Sequence, residues 1–161
     1  MRKFVGLVFV ALMAFTGAAH ADGTYFVVRH AEKQDGDNPI LTHKGVKRAA
    51  HIAEMLTGEP IVQVYSTLTY RTIMTATPTA ASKGLEVILF DTEDLAGFAD
   101  MLKAKSGTYL IVAHSSSTPD LASLLSGTTQ PKLAETDFEQ IFKVVIKDGV
   151  PTLTQSTTTF E

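Results

Sequence analysis

Four short apolar runs in this chain each end in residues that can do chemistry. TYFVV (24–28) runs into Arg29-His30, and IVQVY (61–65) into Ser66-Thr67, with Arg71 four residues beyond Thr67. LEVILF (85–90) is followed by Asp91, and YLIVA (109–113) by His114-Ser115-Ser116-Ser117. Two arginines, two histidines, an acid and a row of hydroxyls are what transfer of a phosphoryl group from a monoester would use. Two guanidinium groups neutralise the doubly charged ester through planar, bidentate hydrogen bonds. One histidine, neutral at its attacking nitrogen, takes the phosphoryl group in line, while the other donates to an oxygen that gains charge in the transition state. Serine hydroxyls and amides at a helix opening add anion contacts, and an acid protonates the leaving oxygen.

Taken singly, each residue has an ordinary explanation. An arginine at a strand end is usually solvated, and a lone histidine is more often structural than catalytic. Asp91, followed by Thr92-Glu93-Asp94-Leu95, has the pattern of a helix cap, and 115–118 has the same pattern ahead of Pro119. His43 and His51 fall on a helix and read as surface residues. What these explanations leave open is the recurrence of such types at successive strand exits, where ligands of open parallel sheets bind.

The elements that must position these residues follow from periodicity. Runs 24–28 and 109–113 lack polar alternation, as strands buried on both faces do. A polar loop, 34–39, leads to Thr42, which is placed to cap a helix on which Val46, Ala49, Ala50, Ala53 and Leu56 recur at helical spacing, with Gly58 past its end. Strand 61–65, helix 70–82 and strand 85–90 come next. A helix then presents Leu95, Phe98, Ala99 and Leu102 on one face. After strand 109–113 a helix opens near Pro119, with proline at its first position. Runs 141–146 and 152–158 around Lys147-Asp148-Gly149 read as a hairpin. The expected fold is a three-layer α/β sandwich: a mostly parallel central sheet, helices on both faces, and an antiparallel C-terminal edge.

The chain has 161 residues, 45% of them hydrophobic, enough for one core and one domain. Its start has the layout of a secretory signal: basic Arg2-Lys3, an apolar run FVGLVFVALMAF, and Ala19-His20-Ala21 as a small-x-small cleavage site. Residues 1–21 are therefore expected to be removed, and the domain to occupy 22–161 in a periplasm or outside the cell. The apolar run is short for a membrane span. Beyond residue 21 there are 12 Lys and Arg against 17 Asp and Glu, a net −5, which argues against nucleic acid as a partner. The absence of cysteine excludes disulfides and thiolate metal sites.

In chain order these motifs resemble the histidine phosphatase superfamily, also called the phosphoglycerate-mutase-like fold. The family's Arg-His-Gly appears as Arg29-His30-Ala31, and its Leu-Thr-x-x-Gly as Leu41-Thr42-His43-Lys44-Gly45. Its Ser-Pro-Leu-x-Arg-Thr-x-x-Thr-Ala is similar to the segment from Thr67 to Ala76, and its Gly-His-Ser-Asn-Thr-x-Pro to that from Ala113 to Pro119.

The resemblance implies a metal-independent phosphatase without organic cofactor. His30 would form a phosphohistidine, and Arg29, Arg71 and His114 would form the phosphate pocket, with Ser115 and Ser116 beside them. For the general acid the resemblance offers no single residue: Asp91 stands at the right strand exit, and Glu93 and Glu32 are alternatives. The chain departs from the family at Ala31 and Ala113, where a methyl group adds bulk near the pocket, and at Ser116, where asparagine is usual. Short connections at 82–85 and 105–109 predict an open pocket without a lid. An open pocket suits a phosphorylated small molecule or a phosphate on a surface glycan better than a mutase reaction. Two other readings are a degenerate relative that binds a phosphorylated ligand without turnover, and a metal site built from His30, Glu32 and His114.

Overall fold

The computed structural model describes residues 21–160; residues 1–20, nearly all of the segment read as a signal, and Glu161 lie outside the described residues. The elements are β1 (Gly23–Arg29), α1 (His43–Met55), β2 (Ile61–Ser66), α2 (Tyr70–Lys83), β3 (Val87–Leu89), α3 (Leu95–Lys103), β4 (Gly107–Ala113), α4 (Ser117–Ser126), β5 (Gln140–Lys147) and β6 (Val150–Thr157). They form one six-stranded sheet in the order β3-β2-β4-β1-β5-β6. The pairs among β1 to β4 are parallel, and β5 and β6 add an antiparallel edge. Asp148 and Gly149 both have positive φ, the backbone a two-residue hairpin turn requires.

Alternate residues of the strands feed two cores, because side chains of a strand point to opposite faces. Tyr25 and Val27 of β1 pack with Ala99 and Leu102 of α3 and Leu121 and Leu125 of α4. Phe26 and Val28 pack on the other face with Ile52 of α1 and Ala76 and Ala80 of α2. Three layers result, as the pattern of strands and helices implied. Among the described residues no helix is long and apolar enough to cross a membrane.

Two local elements differ from the sequence reading. The strand expected over 85–90 pairs only at Val87–Leu89, since β3 is an edge strand with β2 as its single neighbour. Leu85 instead gives its N–H to Ala80 O, closing α2 after Gly84, whose φ is +66°. On α1, Val46 is 48% exposed and Ala50 is exposed, while Gly45, Arg48, Ala49, Ile52 and Ala53 are buried. The buried face is turned because Gly45 lies against the backbone of Glu32, where a Cβ would overlap the carbonyl oxygen. Arg48 then enters the interior to meet Glu32.

Candidate active site

β4 lies between β1 and β2, so the exits of these three strands are adjacent. Arg29 is paired with Ala113, and Ser66 with Val112, so all three chains leave the sheet at one level. His30 and His114, the next residues of β1 and β4, come together with ring centroids 5.6 Å apart at an angle of 66°. The Thr67 hydroxyl is 3.0 Å from His114 Nε2. Arg71 projects from the first turn of α2.

His30 is 3% exposed, and its Nδ1 lies 2.8 Å from the carbonyl oxygen of Ala31. A proton on Nδ1 satisfies that carbonyl and leaves a lone pair on Nε2. Burial, with Arg29, Arg71 and His114 nearby, pushes the His30 imidazole down to about 3, even against the Ala31 hydrogen bond. Burial and the same two arginines push His114 down to about 4. Both rings are therefore neutral at physiological pH.

Arg29 is 3% exposed and held from one side. Its Nη1 donates to the carbonyls of Ala134 (2.8 Å), Asp137 (3.0 Å) and Glu135 (3.1 Å), and its Nη2 to Glu135 Oε2 at 3.2 Å. Its guanidinium carbon stands 4.3 Å from the centre of the Phe138 ring, which also flanks His30. This wall comes from the segment before β5. Because β5 runs antiparallel to β1 with Val28 opposite Ile141, the residues ahead of Ile141 reach Arg29 and His30. Phe138 and Glu135 have no motif in the sequence; only the pairing of β5 brings them here.

The Nε atoms of both Arg29 and Arg71 are buried and have no hydrogen-bond partner among the described residues. A buried charged donor without a partner is costly, and an anion bound at the arginines would offset that cost.

The other predicted residues fall as follows. Ser115 Oγ donates to Glu135 Oε1 at 3.2 Å, and Ser116 is exposed at the start of α4 without a capping bond. Pro119 is the third residue of α4 rather than its first; the Ser117 hydroxyl, accepting from His114 N at 3.0 Å, starts the turn earlier. Asp91 lies in a cleft of about 450 Å³ with Thr67, Leu68, Leu89, Phe90 and His114. It does not cap α3, because Asp94 accepts from Gly97 N at 2.9 Å, while Asp91 Oδ1 accepts from Glu93 N at 2.9 Å. Glu93 is exposed beside it.

Glu32 faces away from the pocket into an ionic network with Arg48 (2.7 and 2.9 Å) and Lys44 (3.4 Å). Burial pushes its carboxyl up, but the hydrogen bonds from Arg48 and Lys44 outweigh this and hold it below the usual range. That pairing removes Glu32 from the roles of general acid and metal ligand, and among the described residues no group of three acidic, histidine or cysteine side chains is arranged to hold a metal. The Ala31 methyl does not crowd the pocket either: it packs with Leu41, Ala49 and Met74.

An α/β sheet with paired histidines and arginines at its strand exits is suited to handling a phosphoryl group, and known proteins with the same fold include phosphatases. The family model for the histidine phosphatase superfamily (branch 1) matches residues 25–95. The solved structure of the protein histidine phosphatase SixA complexed with tungstate is similar, with a TM-score of 0.68, 18% identity, and coverage of 84% of this chain and 97% of that one. Phosphoserine phosphatase from Entamoeba histolytica in complex with 3-phosphoglyceric acid gives 0.63 and 16%, covering 86% and 98%. Phosphoglycerate mutase from Bacillus anthracis gives 0.63 and 17%, covering 86% and 94%. No curated protein matches the chain in sequence. Residues 25–95 thus match the histidine phosphatase superfamily model, and the chain shares the fold of the solved members, which supports a phosphatase-type function.

Proposed function

We propose that the protein is a phosphatase that hydrolyses phosphate monoesters through a phosphohistidine on His30. The observation that carries this reading is the pair of buried, unpartnered Nε donors of Arg29 and Arg71 beside a neutral His30. The ester phosphate sits between the two arginines, with Ser115 and Ser116 at the rim. His30 Nε2 attacks phosphorus, the bond to the leaving oxygen breaks, and Asp91 gives that oxygen a proton from the cleft side. His114, oriented by Thr67, donates to an equatorial oxygen as charge develops there. Water then attacks the phosphohistidine, the P–N bond breaks, and the proton released by water returns to Asp91. Arginine supplies the positive charge throughout, so the chemistry calls on no metal or organic cofactor.

Leu68 is 72% exposed and Asp91 is exposed, so the cleft is open to solvent. Water thus has access to the intermediate, which favours hydrolysis over a mutase reaction. The basic start, apolar run and small-x-small site of residues 1–21 place the protein, in this reading, in a periplasm or outside the cell. There it would act on a phosphorylated small molecule or a glycan phosphate rather than on nucleic acid.

The test is release of phosphate from 4-nitrophenyl phosphate with and without chelator. It is paired with acid-labile, base-stable labelling of the wild type that is lost in His30→Ala. Turnover that persists in His30→Ala would overturn the proposal.

A further inference from the structure

Resting on the phosphatase reading, the walls of the cleft indicate what the phosphate is attached to. The cleft meets the phosphate pocket at Thr67 and His114, so a leaving group has to lie in it. Its far walls are the 67–69 and 89–92 segments. They present Leu68 (72% exposed), Leu89 (49%) and Phe90, whose ring stacks on Phe98 at 4.1 Å, and Tyr70 stands 60% exposed at the head of α2 just beyond Thr69. The single ionisable side chain other than His114 along these walls is Asp91, with Glu93 and Asp94 following it. Among the described residues no lysine or arginine lines them.

The phosphate pocket itself carries a further acid. Glu135 holds both Arg29 Nη2 and the Ser115 hydroxyl through its carboxylate, so part of the arginine charge is already answered before any ester binds. The buried Nε donors remain for one phosphate and leave little over for a second anion.

We propose that the substrate is the phosphate monoester of an amino alcohol, a zwitterion whose leaving group carries an alkylammonium. Exposed leucines, with Glu93 and Asp94 close behind Asp91 in the chain, accommodate an alkylammonium, which gains from apolar contact and nearby negative charge together, while Asp91 itself enters as the proton donor. A leaving group with its own carboxylate or second phosphate would meet apolar surface and like charge along these walls, with Arg71 already engaged by the ester phosphate. Selection therefore follows the charge of the leaving group more than its shape.

The experiment compares kcat/KM for phosphocholine, glycerol 2-phosphate and 3-phosphoglycerate, whose leaving groups are cationic, neutral and anionic. The expected order is phosphocholine first and 3-phosphoglycerate last, with about tenfold between cationic and anionic members, as one charge at moderate distance from the Glu93 and Asp94 carboxylates allows. Leu68→Lys, at an exposed position, should narrow or invert that ratio by raising turnover of 3-phosphoglycerate. Equal or faster turnover of 3-phosphoglycerate by the wild type would overturn the inference. Calorimetric binding of the same three esters to His30→Ala gives a readout that does not depend on turnover. If no ester is hydrolysed, the phosphatase reading fails by itself, and the order of binding still decides what the cleft selects.

Discussion

Two buried arginines, Arg48 and Arg29, are 1% and 3% exposed, yet they are built for different ends. Every nitrogen of Arg48 is engaged: Nε and Nη2 hold both oxygens of Glu32, Nη1 donates to Thr158 O and Oγ1, and Phe160 covers the guanidinium at 4.9 Å. Glu139 adds a longer contact of 3.5 Å. Arg29 is gripped only at its terminal nitrogens, and its Nε, like that of Arg71, faces no partner. The first arrangement spends its hydrogen-bonding capacity on the fold, tying the C-terminal segment to α1 and to the loop after His30. The second leaves one donor unspent, which in the proposed function the phosphate takes up. What separates the two guanidinium groups is the donors left over once the fold has been satisfied, and burial alone does not distinguish them.

Substitutions can break this contrast. The largest effect is expected for His30→Ala, with phosphatase activity falling at least ~10³-fold, as for loss of a covalent nucleophile. The melting temperature of this variant near pH 7 should fall by only a few degrees, because the imidazole belongs to neither hydrophobic core; a coincident collapse of both would assign His30 to the fold instead.

Arg48→Met should cost about 3 kcal/mol in denaturant unfolding, since it leaves the Glu32 carboxylate buried without its partner. The molecules that remain folded should retain most of their turnover. Arg71→Ala should do the reverse, lowering kcat/KM roughly 10²-fold and abolishing thermal stabilisation by inorganic phosphate, while unfolding free energy changes by less than about 1 kcal/mol. If the two variants behave alike in both assays, the distinction between satisfied and reserved arginines is wrong.

A pH series sharpens the comparison further. The His30 imidazole is pushed down to about 3 in the folded protein, so the unfolded chain takes up its proton first as pH falls. Stability from this group is present above an unfolded value of about 6.5 and is lost progressively as pH drops toward the folded value, at up to about 1.4 kcal/mol per unit. Acid unfolding followed from pH 7 to 4 should therefore be shallower in His30→Ala than in wild type. The smallest effect is expected for Ala31→Gly. Its methyl packs against Leu41, Ala49 and Met74 rather than the phosphate pocket, so activity should stay within about threefold and stability should fall by about 1 kcal/mol.

Much of this site was legible along the chain. Strand exits are local features, and β-rich runs ending in Arg29-His30, Thr67 and His114 declare themselves by composition. Thr42 was legible for the same reason: a cap acts over three residues, and its hydroxyl accepts from Gly45 N at 3.0 Å. Asp91 follows its strand as read and lines the cleft, whereas the capping alternative failed because Asp94, three residues on, takes Gly97 N. Glu32 could not be sorted by proximity in sequence. Two residues from His30, its side chain points to the opposite side, where Arg48 waits on a helix face that hydrophobic periodicity had assigned differently.

Local sequence by itself determined the order of elements, the buried character of β1 and β4, and the identity of the four side chains brought to one edge of the sheet. Tertiary structure alone decided which donors among them stay free and what closes the pocket. Glu135 and Phe138 lie more than a hundred residues from Arg29 and reach it through the antiparallel pairing of β5 with β1, a register set by non-local hydrogen bonds. The same holds for Arg48 and Thr158: the satisfaction of a buried charge is a property of everything around it in space, which short-range patterns in a sequence do not encode.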